Sequence, residues 1–157
     1  MTDIFEEPDE AATPLAEEER RDLKLTYITH RAQLNAAEQE NIARGQEWAL
    51  SRRRKLLNEN GVKMLHRRMF CDVWRWAGCF RTSERNIGFN HWEIPMAVHM
   101  LMGDANTWIE AQSYPPDEIA VRLHHRLTQI HPFPNQNGRH ARLIADLLVM
   151  RLGRERF

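Results

Sequence analysis

A chain of 157 residues, 42 % hydrophobic and 28 % charged, is long enough to bury one core. No run approaches the roughly eighteen apolar residues of a membrane-spanning helix, and the acidic start MTDIFEEPDEAATPLAEEE lacks the basic and apolar regions of a secretory signal. Two cysteines, Cys71 and Cys79, exclude a disulfide framework and a cysteine-built metal quartet, so the default expectation is a cytoplasmic protein that meets no membrane.

The formal net charge of 0 conceals a division. Residues 1–19 carry eight acids and no Lys or Arg, which leaves 14 acids against all 22 Lys and Arg in the remainder, a net of +8. Nineteen of those bases are Arg, whose planar fork pairs with phosphate and carboxylate in bidentate fashion. The balance leans toward a phosphate-bearing ligand without identifying one.

In chain order, residues 1–24 read as an acidic arm without fixed structure and 25–157 as one domain. THRAQLNAAEQENIARGQEWALSRRRKLL spaces Leu34, Ala37, Ile42, Trp48 and Leu50 as a helix. Thr29 is its expected cap, Gly45 a point where it divides, and Arg52–Lys55 a solvated helix face. NENG at 58–61 reads as a turn. Val62, Leu65, Met69, Val73 and Trp76 then form the stripe of an amphipathic helix that Gly78 is placed to end. CFRTSERNIGFNHWEIP has no helical period, and a short β-hairpin or ordered loop suits it. Pro95 opens the next helix. After Pro115 and Pro116, Asp117 and Glu118 occupy a first turn where the helix dipole favours acids, and Ile119, Leu123, Leu127 and Ile130 share one stripe. GRHARLIADLLVMRLG is apolar on most faces and is expected to be the central buried helix. The fold class is all-α with at most one hairpin.

The chemistry concentrates in IHPFPNQNGRHARL, residues 130–143. Pro132 and Pro134 stop the preceding helix, so 131–138 must turn, and a new helix starts near Asn137-Gly138. A helix start offers unpaired N–H groups and partial positive charge. Arg139 and Arg142, three apart, project from neighbouring positions beside it. With the Asn137 amide these make a phosphate cradle, and His131 at its edge has the pKa range of a general base. Phe133 reads as the apolar anchor that pins the loop. From residue types alone, an equal alternative is that the His and Arg groups only cap neighbouring helix ends. A zinc site from His124, His125, His131 and His140 is not expected, because no metal-binding spacing is present. Nucleic acid is not expected either, since no recognition-helix pattern stands out.

HPFPNQNGRHAR resembles the signature of the Fic (filamentation induced by cAMP) domain family, HPFx[D/E]GN[G/K]RxxR. His131, Pro132, Phe133, Asn137, Gly138, Arg139 and Arg142 match in type and spacing. LHRRMFCDVWRWAGCFRTSERNIG resembles the family's lead-in, and residues 25–153 are similar to the bacterial branch called mobile mystery protein B. The resemblance implies a Fic-type helical bundle with a short β-hairpin flap. It implies AMP transfer from ATP, with Mg²⁺ or Mn²⁺, to a Ser, Thr or Tyr hydroxyl of a target protein. His131 would be the base. Asn137, Gly138, Gln136, Arg139 and Arg142 would bind the nucleotide phosphates, with Arg142 reaching the γ-phosphate. The flap, roughly 81–90 with Thr82, Ser83, Asn86, Ile87 and Gly88, would hold the target by strand addition. An inhibitory helix over about 29–44 would carry a Glu that blocks the site, Glu38 first and Glu40 second, with Glu38 expected to bridge to Arg142. The family carries further helical sequence after the signature helix, so the chain is expected to be shortened at its C-terminus.

Two positions depart from the signature. Asn135 replaces the acid that would hold Mg²⁺ and offers a ligand without negative charge, so the metal would be held weakly or through the ATP phosphates. Gln136 replaces a Gly; if that backbone needs positive φ, Gln is strained there by roughly 1–2 kcal/mol. The rival readings are a nucleotide- or phosphate-binding module without turnover and a phosphotransferase like the Doc branch. The Doc branch tends to have Lys where this chain has Gly138.

Overall fold

The apolar stripes become six α-helices in a computed structural model that describes residues 15–153. They are α1 (Glu17–Asp22), α2 (Arg31–Leu50), α3 (Glu59–Phe70), α4 (Ile94–Glu110, led in by a 3-10 turn at His91–Glu93), α5 (Pro116–Ile130) and α6 (Asn137–Arg151). No strand occurs among the described residues, and none of their helices is long and apolar enough to cross a membrane. The fold is the all-helical bundle the stripes predict. α6 is its axis, burying Ala141, Leu143, Ile144, Ala145, Leu147, Leu148 and Val149. α5 packs along it, α4 packs on α5, and α2 pairs with α3.

Several expectations change. The arm expected to be without structure over 1–24 holds a helix: α1 is flanked by buried Leu15 and Leu23, and Glu19 takes two 3.0 Å hydrogen bonds from Arg31. Residues 1–14 lie outside the described residues. His30, not Thr29, takes the cap position of α2, and the Gln33 side chain reaches back to accept the Thr29 and His30 N–H groups. Gly45 does not divide α2. A Cβ there would lie 2.9 Å from the Arg68 carbonyl and the Met69 Cα, so at Gly45 the backbone of α3 packs directly against α2. Asn41 locks the same seam, donating to Arg68 O at 3.1 Å and accepting from the Asp72 N–H at 2.9 Å. Arg52–Lys55 follow α2 in irregular backbone rather than forming a helix face, and the Arg54 guanidinium lies 3.9 Å over the Trp48 ring.

α3 ends at Phe70, well before Gly78. Its apolar stripe continues into a buried turn, where Val73 and Trp74 pair with the segment after α1: the Lys24 N–H donates to Val73 O at 2.8 Å and the Arg75 N–H to Asp22 O at 2.9 Å. The hairpin expected at 81–90 is absent as paired strands. Those residues form a loop tied to 130–132 by two backbone bonds, with Arg81 donating to Ser83 O and Phe89 O within it and to Ile130 O and His131 O beside it.

Candidate active site

The loop 131–136 joins α5 to α6 between two strained residues. His131 ends α5 at φ 53°, ψ 60°, and Gln136 precedes α6 at φ 63°, ψ 27°. Left-handed backbone at a non-glycine residue costs on the order of 1–2 kcal/mol, so the surroundings must enforce it. Phe133, wholly buried, stacks on the His66 ring at 3.7 Å with 11° between the planes. Asn137 closes the loop on itself: its Oδ1 accepts from the Phe133 N–H and its Nδ2 donates to Phe133 O, both at 2.9 Å. The carboxamide expected to hold phosphate is thus engaged in bracing the turn. Phe133 fills the anchoring role read from the sequence.

His66 supports the loop from beneath. Its Nδ1 accepts from the Gly78 N–H at 2.9 Å, so its Nε2 carries the proton and donates to Asn135 O at 3.2 Å. Burial, then the neighbouring His140, holds its pKa well below the usual histidine range. The imidazole is neutral, as a ring stacked on Phe133 in the core must be.

Arg81 ties the segment expected to be a flap to the 131–136 loop and is 3 % exposed. It donates from Nε to His131 O at 2.6 Å, from Nη1 to Ser83 O at 3.0 Å, and from Nη2 to Ile130 O at 3.3 Å and to Phe89 O. The backbone adds Arg81 N–H to Pro132 O at 2.8 Å and Phe89 N–H to Ile130 O at 3.1 Å. Gly88 lies at φ 96°, where a Cβ would come within 2.6 Å of the His131 Cβ and 2.7 Å of the Arg81 guanidinium. Thr82, Ser83, Asn86 and Ile87 are exposed alongside. The His131 imidazole is half-buried, and burial followed by the Arg81 and Arg85 charges lowers its pKa. It is therefore largely neutral at pH 7, the form that accepts a proton.

Glu38 reaches this site from α2. Its side chain is 4 % exposed, and three donors converge on its carboxylate. Trp74 Nε1 at 2.8 Å and Gln136 Nε2 at 2.9 Å meet Oε1, while Arg139 Nη1 lies 3.5 Å from Oε2. Glu38, the first choice for a blocking carboxylate, meets Arg139 rather than the expected Arg142. α2 crosses the first turn of α6, and Arg142 lies one turn on, where its Nε contacts Asp146 at 3.3 Å. Glu40 points away and pairs with Arg44 at 2.7 Å. Gly138 is exposed with open space beside it.

The residues fit a protein-held divalent cation poorly. Asn135, exposed on the loop, accepts the neighbouring Gln136 N–H on its Oδ1 at 2.8 Å and offers no negative charge. Among the described residues no three His, Cys, Asp or Glu groups gather as a metal site. His140 is no ligand: it is wholly buried, contacts Val62 O through Nε2 at 2.9 Å, and has its pKa lowered to about 4 by burial. A cavity of about 590 Å³ lies elsewhere, between residues 53–58 and the C-terminal half of α6.

His66, Arg81 and Trp74 are the site residues that residue-type reasoning missed. Their partners lie far away in the chain, so no local window of sequence marks them.

The sequence profile of the Fic/DOC family matches residues 56–149. The protein adenylyltransferase Fic of Aedes aegypti is 32 % identical over 80 residues, 49 % of this chain and 16 % of that protein. The protein adenylyltransferase fic-1 of Caenorhabditis elegans is 35 % identical over 80 residues, with the same shares. This chain thus matches only about a sixth of the length of those relatives. Among solved structures, the Bartonella tribocorum effector BepC with bound AMPPNP shares the fold at a TM-score of 0.67 and 17 % identity, over 90 % of this chain and 75 % of that one.

Proposed function

This chain belongs to the Fic/DOC family, and from that premise and the geometry of the 131–142 segment we propose that it moves AMP from ATP to a hydroxyl of a target protein, with Glu38 holding it at rest. The observation that carries this reading is the buried Glu38 carboxylate at the start of α6, where Trp74, Gln136 and Arg139 already hold an anion beside a histidine base. When Glu38 withdraws, the helix-start N–H groups, Arg139 and Arg142 receive the nucleotide phosphates. His131 takes the proton of the target hydroxyl, the hydroxyl oxygen bonds to the α-phosphorus, the α–β bridging bond breaks, and pyrophosphate leaves. The donors stabilise the negative charge that grows on the phosphorus-bound oxygens. The exposed flap from Thr82 to Gly88, held by Arg81, presents backbone to the target chain. Asn135 offers a neutral oxygen only, so no step is assigned to a protein-held metal.

A second reading, nucleotide binding without turnover, is favoured by the Gln136 side chain bonded to Glu38 at the helix start and by the uncharged Asn135 in place of an acid. Incubating the native and Glu38→Gly proteins with ATP labelled at the α- or γ-phosphate, with Mg²⁺ or Mn²⁺, separates these. Alpha-label on protein, lost in His131→Ala, is the expected result. Gamma-label alone supports phosphotransfer, and tight binding without label supports the module. Absence of nucleotide binding by both proteins overturns the proposal.

A further inference from the structure

We propose that Gln136 is the latch of this site: its side-chain amide positions Glu38 over the start of α6 and is what keeps the cradle closed. The inference rests on the nucleotide-transfer reading above and assigns the control of that site to a residue of the loop itself.

The backbone at Gln136 favours glycine, yet a long side chain stands there and is used. At φ 63° it folds back so that Nε2 reaches Glu38 Oε1 at 2.9 Å. The ion pair with Arg139 is the weaker contact, at 3.5 Å with the Arg139 side chain 49 % exposed, so solvent screens it. The short bonds to Glu38 are the two neutral ones. They differ in what they join. Trp74 follows α3, and α2 is locked to α3 by the Gly45 approach and the Asn41 bridge, so the Glu38–Trp74 bond lies within one packed unit. The Gln136 bond instead ties Glu38 to the 131–136 loop, whose backbone His66 of α3 holds in place. Gln136 immediately precedes the helix start, so of the two short contacts its bond is the one made by the loop itself, and it must break for an anion to enter the cradle.

The released amide then faces the space Glu38 has left. An Nε2–H that donated to a carboxylate can donate to a phosphate oxygen from the same position. The same group thus closes the resting site and lines the open one. This gives Gln136 opposite effects on nucleotide affinity depending on whether Glu38 is present.

The test uses the full chain and AMPPNP with Mg²⁺, by titration calorimetry. Gln136→Gly, which suits the left-handed backbone, should raise affinity at least fivefold when Glu38 is present. In the Glu38→Gly background the same change should leave affinity unchanged or lower it. An equal rise in both backgrounds overturns the latch, because Gln136 would then obstruct the nucleotide directly. A nucleotide-free measurement stands beside it. Gln136→Glu keeps the length and the strain but sets a carboxylate against Glu38, and should lower the thermal midpoint. The reciprocal pair Gln136→Glu with Glu38→Gln exchanges donor and acceptor and should recover at least half of the loss. Losses that simply add overturn the latch. Should the swap rescue while neither Glu38→Gly nor Gln136→Gly binds AMPPNP, the latch stands and the nucleotide reading falls. Should Glu38→Gly bind while Gln136→Gly gains nothing, the latch falls and the nucleotide reading stands.

Discussion

Arg81→Lys keeps the charge and most of the length of a buried side chain, yet it is predicted to release the flap. The guanidinium spans four carbonyl oxygens, those of His131, Ser83, Phe89 and Ile130. An ammonium is a compact point of three donors and cannot bridge acceptors on two segments in that fork geometry. At least two charge-assisted bonds are lost, each worth about 1.5–3 kcal/mol. The attachment of 82–89 to the loop therefore weakens by roughly 3–6 kcal/mol, and water compensates part of this where the carbonyls become accessible. The remaining ties, Arg81 N–H to Pro132 O and Phe89 N–H to Ile130 O, lie at the two ends of the segment. Each residue freed on opening gains about 1–2 kcal/mol of backbone entropy, so the segment opens locally before the bundle unfolds. Amide hydrogen exchange followed by NMR reads this directly. The Phe89 N–H should exchange about a hundredfold faster or more in Arg81→Lys, while amides in the middle of α6 change far less. Exchange at Phe89 within threefold of the unmodified protein would refute the assignment of Arg81 as the staple.

Three further outcomes follow from the same contacts. Gly45→Ala should destabilise by roughly 1–3 kcal/mol in urea denaturation, because the clash with the α3 backbone outweighs the ~1 kcal/mol gain in helix propensity; a more stable variant would contradict the close approach. Asn137→Ala leaves the Phe133 N–H and C=O buried without partners and should lose about 2–4 kcal/mol, with labelling from ATP falling in parallel. His140 has a folded pKa of about 4 against an ordinary 6.5, so the unfolded chain binds the proton more tightly. Its contribution is complete above pH 6.5 and is lost as pH falls toward 4, on the order of 3 kcal/mol. His140→Gln should flatten the pH dependence of the urea midpoint in that window, and an unchanged slope would show that the imidazole is not held neutral by burial.

What the sequence makes legible here is what repeats. α5 and α6 announce themselves by stripes such as Ile119, Leu123, Leu127 and Ile130, because one face of each meets the core at every turn. α3 is over-read for the same reason: Val73 and Trp76 continue its stripe, but they lie in a turn rather than a helix, and Val73 is buried against the segment after α1. Gly45 is misread because its meaning depends on Arg68 and Met69, residues of another helix that no local window contains. Arg81 and His66 leave no pattern at all, since one buried polar side chain satisfying distant carbonyls has no period.

The site divides along the same line. The signature spacing locates His131, Arg139 and Arg142, but it does not say which arginine α2 crosses. Residues 139 and 142 are about 4.5 Å apart along the helix axis and roughly 60° apart around it, so a small difference in where α2 lies changes the partner of Glu38. That difference is chemical as well as geometric. With Arg139 half exposed and 3.5 Å away, charge alone holds Glu38 weakly, and its burial depends on the neutral donors Trp74 and Gln136. The strained Gln136 thereby ceases to be only a departure from the signature. A left-handed backbone at a non-glycine residue persists where its surroundings over-determine it, and here its side chain bonds the buried Glu38 carboxylate at the start of α6.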